Sequence, residues 1–350
     1  MFPPKKNLQI IQLLRSLACL LVVLMHIGET YLNTYHSLFL GGIFKFGGSG
    51  VDIFFVLSGF IITYSNQQYI CKFSSILKYL RKRIIRIFPI YWLIISLLLL
   101  MQMVLPSFYR THYQFTSINL LYTYLLLPNH NMVNGVSWTL TNELFFYILF
   151  TVSLILPKKK LILTFLFIYL FALLIIPFLP ITHTSINTFA DLFLFPMNIE
   201  FLLGIIIILC IPILKKELCI LLSIIGIFMF VLGAVITNCG IQIFPNIYNR
   251  ILLFGLPSFL LILALVKYEM STKIVIPSLF IKLGDASYAI YLFHLPLVAA
   301  FFKIMVKLNI INFTEILLLI VFLIVGICYI GIIIFKKIEI PIISWLNQKA

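Results

Sequence analysis

Two imidazoles and two carboxylates stand inside apolar stretches of the sequence, where ionisable side chains are costly and rare. They belong to His26, Asp52, Glu143 and His294. A histidine held by a carboxylate can take the proton from a hydroxyl group, which is general-base catalysis. The same four side chains can also pair simply to offset the cost of burial. The sequence therefore allows a catalytic site or a structural polar cluster, and it does not show whether the four residues meet.

Arg15 precedes His26 by eleven positions in the first apolar stretch. Eleven residues of α-helix turn the chain through about 1100°, within about 20° of a whole number of turns, so the two residues share one face. Their separation along the axis is roughly 16 Å. One face thus carries a cation at one depth and an acid–base group at another. The alternative is an arginine that extends to the interface and a histidine near the helix end.

Each remaining polar position also has a structural alternative. Asp52 follows the glycine-rich segment 47–50 and can serve as an N-cap or first-turn acid. Glu143 follows a polar helix start that resembles ordinary capping, and Trp138 there suits a membrane interface. His294 can be a satisfied contact between helices. None of these residues identifies a function by itself.

A basic segment at 78–86 differs in kind, because it precedes an apolar stretch instead of lying inside one. Arg83 and Arg86 in it are three residues apart and share a helix face. Two guanidinium groups on one face suit bidentate binding of phosphate. Membrane orientation and attraction to anionic lipids also explain basic residues here. Six charges in one gap exceed what orientation needs, which favours an anionic ligand.

The elements that must position these residues are membrane-spanning helices. Hydrophobic residues make up 63% of the 350 positions and charged residues 10%, whereas soluble chains are about 45–50% apolar. Ten stretches approach the roughly 20 residues that a spanning helix needs. They run near 8–28, 46–65, 87–105, 138–156, 161–179, 195–214, 218–237, 248–267, 286–306 and 314–335. We predict an all-α polytopic bundle of about ten transmembrane helices that forms a single integral membrane domain over residues 1–350.

The placement of lysine and arginine predicts the direction of these spans. Nineteen of the 25 basic residues lie before the first span, after the last, or in even-numbered gaps, as the positive-inside rule requires of cytoplasmic segments. Both termini are therefore predicted to be cytoplasmic, and the spread of these charges argues against nucleic-acid binding. No Cys/His spacing fits a zinc site. Only Cys239 falls in an exported gap, so we expect no structural disulfide.

Five blocks in this order resemble the acyltransferase-3 family of integral membrane acyltransferases. They are Arg15-x10-His26, the segment 50–60 around Asp52, Arg83-x-x-Arg86-x-x-Pro89, Trp138-x-Leu140-x-x-Glu143 and Ser287-Tyr288-x-x-Tyr291-x-x-His294. Each block alone is weak, whereas five blocks spread over most of residues 8–300 form a specific match. About ten spans also suit this family. Some members carry an additional extracytoplasmic hydrolase-like domain, for which this chain has no room.

The resemblance implies an enzyme that transfers an acyl group, most often acetyl, to a hydroxyl of a surface or lipid-linked carbohydrate such as O-antigen. The donor would be cytoplasmic acetyl-CoA or another acyl-CoA, with no permanently bound cofactor or metal. Its partners would be the donor, the carbohydrate acceptor and membrane lipids, in a bacterial inner membrane. The rival interpretation is a transporter or flippase for a polysaccharide or its lipid-linked precursor, in which the buried acids and histidines form a proton relay.

The resemblance also suggests roles for single residues. His26 and Arg15 correspond to the essential histidine and arginine of the family's first span, and Arg83 and Arg86 to its arginine pair. We hypothesise that the arginine pair binds the phosphates of acyl-CoA, with help from Arg15. His26 then acts as general base or transient acyl carrier, assisted by Asp52 or Glu143. Additional site residues proposed from the same blocks are His294, Tyr291 and Trp138.

Overall fold

Helices account for the regular structure of this chain. The computed structural model describes residues 8–104, 115–129, 132–175, 187–241 and 246–348, and within these ranges there is no β-strand. The all-α prediction is confirmed. The predicted cytoplasmic location of both termini stays a prediction, and residues 1–7 and 349–350 lie outside the described ranges.

Fifteen α-helices follow one another along the described residues. They are α1 (Gln9–Tyr35), α2 (Ser49–Asn66), α3 (Ile76–Val104), α4 (Ser117–Tyr124), α5 (Ser137–Ile155), α6 (Lys159–Ile175), α7 (Phe189–Leu194), α8 (Asn198–Cys210), α9 (Leu218–Asn238), α10 (Asn246–Arg250), α11 (Leu256–Ser271), α12 (Ser278–Asp285), α13 (Ser287–Lys307), α14 (Phe313–Ile334) and α15 (Ile340–Gln348). Two π-helical segments, Ile251–Gly255 and Phe335–Glu339, join α10 to α11 and α14 to α15.

Eight helical segments in the described residues are long and apolar enough to cross a membrane. They run over Gln9–Tyr35, Lys45–Tyr69, Phe73–Val104, Ser137–Ile155, Leu218–Asn238, Ile247–Ser271, Ser287–Lys307 and Phe313–Gln348. Two of the ten predicted spans, 161–179 and 195–214, correspond instead to α6 of 17 residues and α8 of 13 residues. Residues 176–179 and 105, at the ends of two predicted spans, lie outside the described ranges. A multi-pass membrane bundle is therefore established, and the count of ten stays a prediction.

Helix α2 lies at the centre of the bundle, since it packs against α1 on one side and α8 on the other. The contact between α2 and α8 depends on two glycines. A Cβ atom on Gly59 would collide with the backbone oxygen of Phe201, and one on Gly204 would collide with that of Val56. Small residues allow such close approach in membranes, where packing and not water exclusion holds helices together. This contact fixes the height of Asp52 relative to α8.

Helix α1 carries Arg15 and His26 and packs against α2, α12 and α13. The C-terminal end of α1 extends seven residues beyond the predicted span, to Tyr35. Arg15 and His26 are held by one continuous helix, as their spacing predicts. Helix α13 contains Pro296 two positions after His294 and continues through it to Lys307, because neighbouring helices can satisfy the freed backbone group.

Candidate active site

A cavity of about 150 Å³ lies between α1, α2, α3, α5 and α13. Its apolar lining comes mostly from α2, and all of its polar lining except Ser58 comes from the other four helices. The charged and hydroxyl-bearing residues that line it are Arg15, Ser58, Arg83, Arg86, Thr139, Glu143, Tyr147, Ser287, Tyr288 and Tyr291. Five residues of the predicted site, on four different helices, thus share this one cavity.

Glu143 is the carboxylate of this cavity, one to two turns into α5. Its Oε1 accepts hydrogen bonds from Ser58 Oγ at 3.1 Å and from Tyr147 Oη at 2.5 Å. Glu143 is therefore held by α2 and by the next turn of its own helix. It is not a capping residue, since the described hydrogen bonds of this carboxylate go to side chains and not to the first turn of α5.

Two tyrosine rings flank Arg83. Its guanidinium carbon lies 5.6 Å from the ring centre of Tyr79 and 5.5 Å from that of Tyr147, distances at which a cation is attracted to a ring face. Its Nε is buried and has no hydrogen-bond partner among the described residues, and neither has Oγ of Ser287 in the same cavity. Buried polar atoms normally find a partner. These two atoms leave the cavity able to bind a polar ligand.

Arg86 forms an ion pair with Glu339, which the π-helical segment before α15 carries. Glu339 is fully buried, whereas the side chain of Arg86 is 31% exposed. The Arg86 guanidinium also lies 5.7 Å from the ring centre of Tyr288. Asp285 adds a third acid to this region: burial raises its pKa, while the positive charges of Arg15 and Arg86 act in the opposite direction. The arginines thus face acids from α5, α12 and the last π-helix.

His26 lies elsewhere in the bundle, beside His294. The two ring centres are 5.2 Å apart with a 34° angle between the rings. Nδ1 of His26 is 3.0 Å from Oε2 of Glu29, one turn further along α1. A carboxylate can only accept, so the proton of this bond is on Nδ1, which leaves Nε2 of the neutral ring free to take a proton. The His26 side chain is 19% exposed, so it is not sealed inside the bundle.

A short chain of contacts joins the histidine pair to the cavity. Nδ1 of His294 donates to the backbone oxygen of Tyr291 at 2.7 Å, and its Nε2 is buried without a partner in the described residues. The hydroxyl of Tyr291 is 2.8 Å from Oγ1 of Thr139, and both residues line the cavity. Helix α13 therefore presents Tyr291 to the cavity and His294 to His26.

Asp52 has a different partner from the one its sequence position suggests. Its carboxylate accepts from Nε of Arg250 at 3.0 and 2.8 Å and lies 2.7 Å from Nη2. Glu200 of α8 is fully buried beside this pair and interacts electrostatically with both Asp52 and Arg250. Trp138 packs edge-on against Phe55 and Phe195, 6.2 and 6.1 Å away.

The structure thus sorts the sequence-predicted residues into three groups. Arg15, Arg83, Arg86, Glu143 and Tyr291 line the cavity. The second group is His26 with His294, and the third is Asp52 with Arg250, while Trp138 packs among aromatic rings. No group of three or more histidines, cysteines and acids in the described ranges is placed to hold a metal ion.

Four charged residues of these groups were not identified from sequence. Glu29 was visible at three positions from His26, the spacing of helix neighbours. Glu200 is an acid inside an apolar stretch, so it was a candidate functional residue for the same reason as Asp52. Arg250 and Glu339 gave no such signal, because they stand near the ends of apolar stretches where charges are ordinary.

The fold and this site define a polytopic membrane protein with a polar, arginine-rich cavity inside its helix bundle. The chain belongs to the acyltransferase-3 family, because the family model described as an acyltransferase domain matches residues 8–335. Comparison with curated proteins and with solved structures found no match. The resemblance seen in the sequence is confirmed, and the protein is an acyl-transferring enzyme of the membrane.

Proposed function

We propose that this protein transfers an acyl group, most simply acetyl, from cytoplasmic acyl-CoA to a hydroxyl of a cell-surface or lipid-linked carbohydrate. The cavity in which Arg15, Arg83 and Arg86 converge supports the part of this proposal that concerns the acyl-CoA donor. Arg83 and Arg86 are the eighth and eleventh residues of α3 and belong to the most basic predicted cytoplasmic segment. Guanidinium groups bind phosphate oxygens strongly and with defined geometry.

The ligand side of this proposal rests on charge and hydrogen bonding. Acyl-CoA carries phosphates at one end and a thioester at the other. The phosphates interact with the arginines, and the acyl arm extends along the apolar α2 lining towards Tyr291. The unpartnered Arg83 Nε and Ser287 Oγ are donors for this ligand. Binding of a phosphate to Arg86 competes with the Arg86–Glu339 ion pair.

We assign the activation of the acceptor hydroxyl to the pair formed by His26 and His294. His26 Nε2 takes the proton of the acceptor hydroxyl, the ester C–O bond forms as the thioester C–S bond breaks, and the proton finally goes to the departing CoA thiolate. In the alternative route, His26 carries the acyl group between the two substrates. Glu29 holds the ring of His26 in either case, as an orienting carboxylate does for a catalytic histidine.

The predicted topology makes this reaction a transfer across a bacterial inner membrane. Arg15 marks the side predicted to be cytoplasmic, and His26 lies further along α1 towards the other side. Acetyl-CoA is made inside the cell, whereas surface carbohydrate is finished outside. A chain with a donor cavity at one depth and an acid–base residue at another suits that separation.

The proposal is tested by incubating membranes with radiolabelled acetyl-CoA and measuring label in surface glycan. We expect label with the wild-type protein and none with His26→Ala. The control is His36→Asn, which changes an exposed histidine with a φ of 54° that asparagine tolerates. Undiminished transfer by His26→Ala would remove the role of His26. Absence of transfer together with loss of polysaccharide export in a deletion strain would favour a transporter.

A further inference from the structure

A second cavity, of about 300 Å³, lies between the C-terminal half of α1, the start of α2 with the turn before it, the end of α9, and α10 with the π-helical segment that follows it. Its residues are Met25, Lys45, Phe46, Gly48, Ser49, Thr237, Gly240, Ile241, Asn249, Arg250, Leu253 and Phe254. The charge pattern predicts that all of these helix ends face outside the cell. The cavity therefore lies on the acceptor side of the proposed reaction.

Both charged side chains that line this cavity are basic. Lys45 and Arg250 line it, and none of its lining residues is Asp or Glu. Arg250 is held in place by Asp52 through Nε and Nη2, and Nη2 also donates to the backbone oxygen of Gly48 at 2.5 Å. Those bonds leave Nη1 of this guanidinium for a ligand. Asp52 thus positions Arg250 but does not itself line the cavity.

A buried hydroxyl in the same cavity lacks a partner. Ser49 is 2% exposed, and its Oγ has no hydrogen bond among the described residues. It is the first residue of α2, and its backbone N–H donates to the backbone oxygens of Phe46 and Gly47 in the preceding helical turn, so the side-chain hydroxyl is the group left for a ligand. Donors from Ser49, Arg250 and Lys45 therefore surround one space.

The rest of the lining suits a sugar. Phe46 and Phe254 provide apolar rings on which the C–H face of a pyranose can pack, and both contact Phe230 edge-on, at 6.4 and 5.3 Å between ring centres. Thr237 and Asn249 bring further polar groups to the cavity. A few placed polar groups among apolar walls are the usual composition of a small-molecule site.

We propose that this cavity binds an acidic carbohydrate, whose phosphate or carboxylate contacts Lys45 and Arg250. The inference rests on the proposed function, since Met25 of the cavity is the residue before His26 and the bound sugar would be the acyl acceptor. It gives Asp52 a role other than assisting a general base. In this role Asp52 positions Arg250, which binds the acidic group of the sugar. Sugar carboxylates and the phosphates of lipid-linked sugars share this chemistry.

A native cysteine reports on occupancy. Cys239 is exposed and stands next to Gly240, which lines the cavity. We would follow alkylation of Cys239 in the purified full-length protein by mass spectrometry, with glucuronate, pyrophosphate or uncharged glucose present. We expect glucuronate, pyrophosphate or both to slow alkylation, and glucose at the same concentration to have little effect. Glucuronate alone would indicate a sugar acid, and pyrophosphate alone a lipid-linked sugar phosphate.

Lys45→Gln is the test of the assigned contact, because Lys45 is exposed and its loss does not disturb the bundle. Loss of one charge-assisted hydrogen bond should weaken binding of the anion, and with it the protection of Cys239, about tenfold. The matched control is Lys307→Gln, which removes an exposed charge from the same predicted side at the end of α13. Equal protection by glucose, no protection by either anion, or unchanged protection in Lys45→Gln would overturn the proposal.

The two proposals fail separately in this design. Alkylation measures binding alone, so protection without acyl transfer would leave the acidic-sugar site standing and remove the proposed function. Acyl transfer to glycan with no anion protection of Cys239 would leave the function standing and remove the site.

Discussion

At the scale of residues, three predicted site residues are each held in place by a different contact. Glu143 is held by Ser58 and Tyr147, His26 by Glu29, and Arg86 by Glu339. Each contact joins a residue that the sequence predicted for the site to at least one residue that it did not. Variants at these contacts therefore test the proposed roles most directly.

Replacing Glu29 by Gln should lower the rate of acyl transfer about tenfold with little change in the Michaelis constant for acyl-CoA. The glutamine amide can either accept from Nδ1 or donate to it, so the proton is no longer fixed on Nδ1, and general-base catalysis contributes about 10²–10⁴-fold in enzymes. The rate of label transfer into glycan measures the effect. Glu315→Gln, an exposed acid in the first turn of α14, is the control. An unchanged rate in Glu29→Gln would show that Glu29 does not orient His26.

Replacing Arg86 by Gln should lower the melting temperature and raise the donor Michaelis constant more than that of the acceptor. The change leaves Glu339 buried and unpaired, a loss of roughly 3 kcal/mol for an ion pair of this kind. The double variant Arg86→Gln with Glu339→Gln removes both charges. We expect it to recover most of the melting temperature and to keep the raised donor constant. Recovery of both the melting temperature and the donor Michaelis constant would show that Arg86 has only a structural role.

The residue scale also shows where prediction from sequence ends. The three-residue spacing of Arg83 and Arg86 predicts a shared helix face, and both line the cavity. The partner of Asp52 stands 198 positions away, and that of Arg86 stands 253 positions away. Helix periodicity relates neighbours within two or three turns. Contacts between distant helices depend on how the helices pack, which the spacing of residues does not encode.

At the scale of elements, close helix packing sets the position of the charged groups. Apolar length predicted most helices well: the stretch near 138–156 is α5, Ser137–Ile155. It placed α8 within the stretch 195–214 but did not predict its short length of 13 residues or the two π-helical segments next to Arg250 and Glu339. Single-turn π-segments leave no periodic signature in an apolar run, and they are frequent at functional sites.

Replacing Gly59 by Ala should destabilise the protein by about 1–3 kcal/mol, the usual cost of overpacking. The added Cβ meets the backbone oxygen of Phe201, so α2 and α8 must separate. Gly326→Ala in α14 is the control, since nothing lies within 4 Å of its Cβ position, and alanine in a helix is favoured by about 0.5–1 kcal/mol. Melting temperatures in detergent measure both. A Gly59→Ala protein as stable as Gly326→Ala would contradict the close contact.

At the scale of the whole molecule, the charged groups of the two cavities stand towards opposite predicted faces of the membrane. Arg15, Arg83 and Arg86 of the first cavity stand towards the predicted cytoplasmic face, and its lining extends as far as Val51 in the first turn of α2. Lys45 and Arg250 of the second cavity stand towards the other face. This arrangement depends on the orientation that the lysine and arginine distribution predicts. Orientation can be measured without any assumption about chemistry.

A membrane-impermeant maleimide should label Cys239 in intact cells and Cys71 only after the membrane is opened. Cys239 is exposed after α9 on the predicted outer side, and Cys71 is half-buried in the basic gap before α3. A Cys239→Ser protein is the control for the first signal. Labelling of Cys71 in intact cells without Cys239 would reverse the bundle and exchange the proposed donor and acceptor sides.

The most direct test of acyl transfer across the membrane uses sealed vesicles of both orientations. Inverted vesicles expose the predicted cytoplasmic face, and right-side-out vesicles expose the other face. Radiolabelled acetyl-CoA is added to the outside of each, and label in glycan is measured for the wild-type protein and for His26→Ala. We expect label only in inverted vesicles with the wild-type protein. Equal labelling in right-side-out vesicles, or none in either orientation, would contradict it.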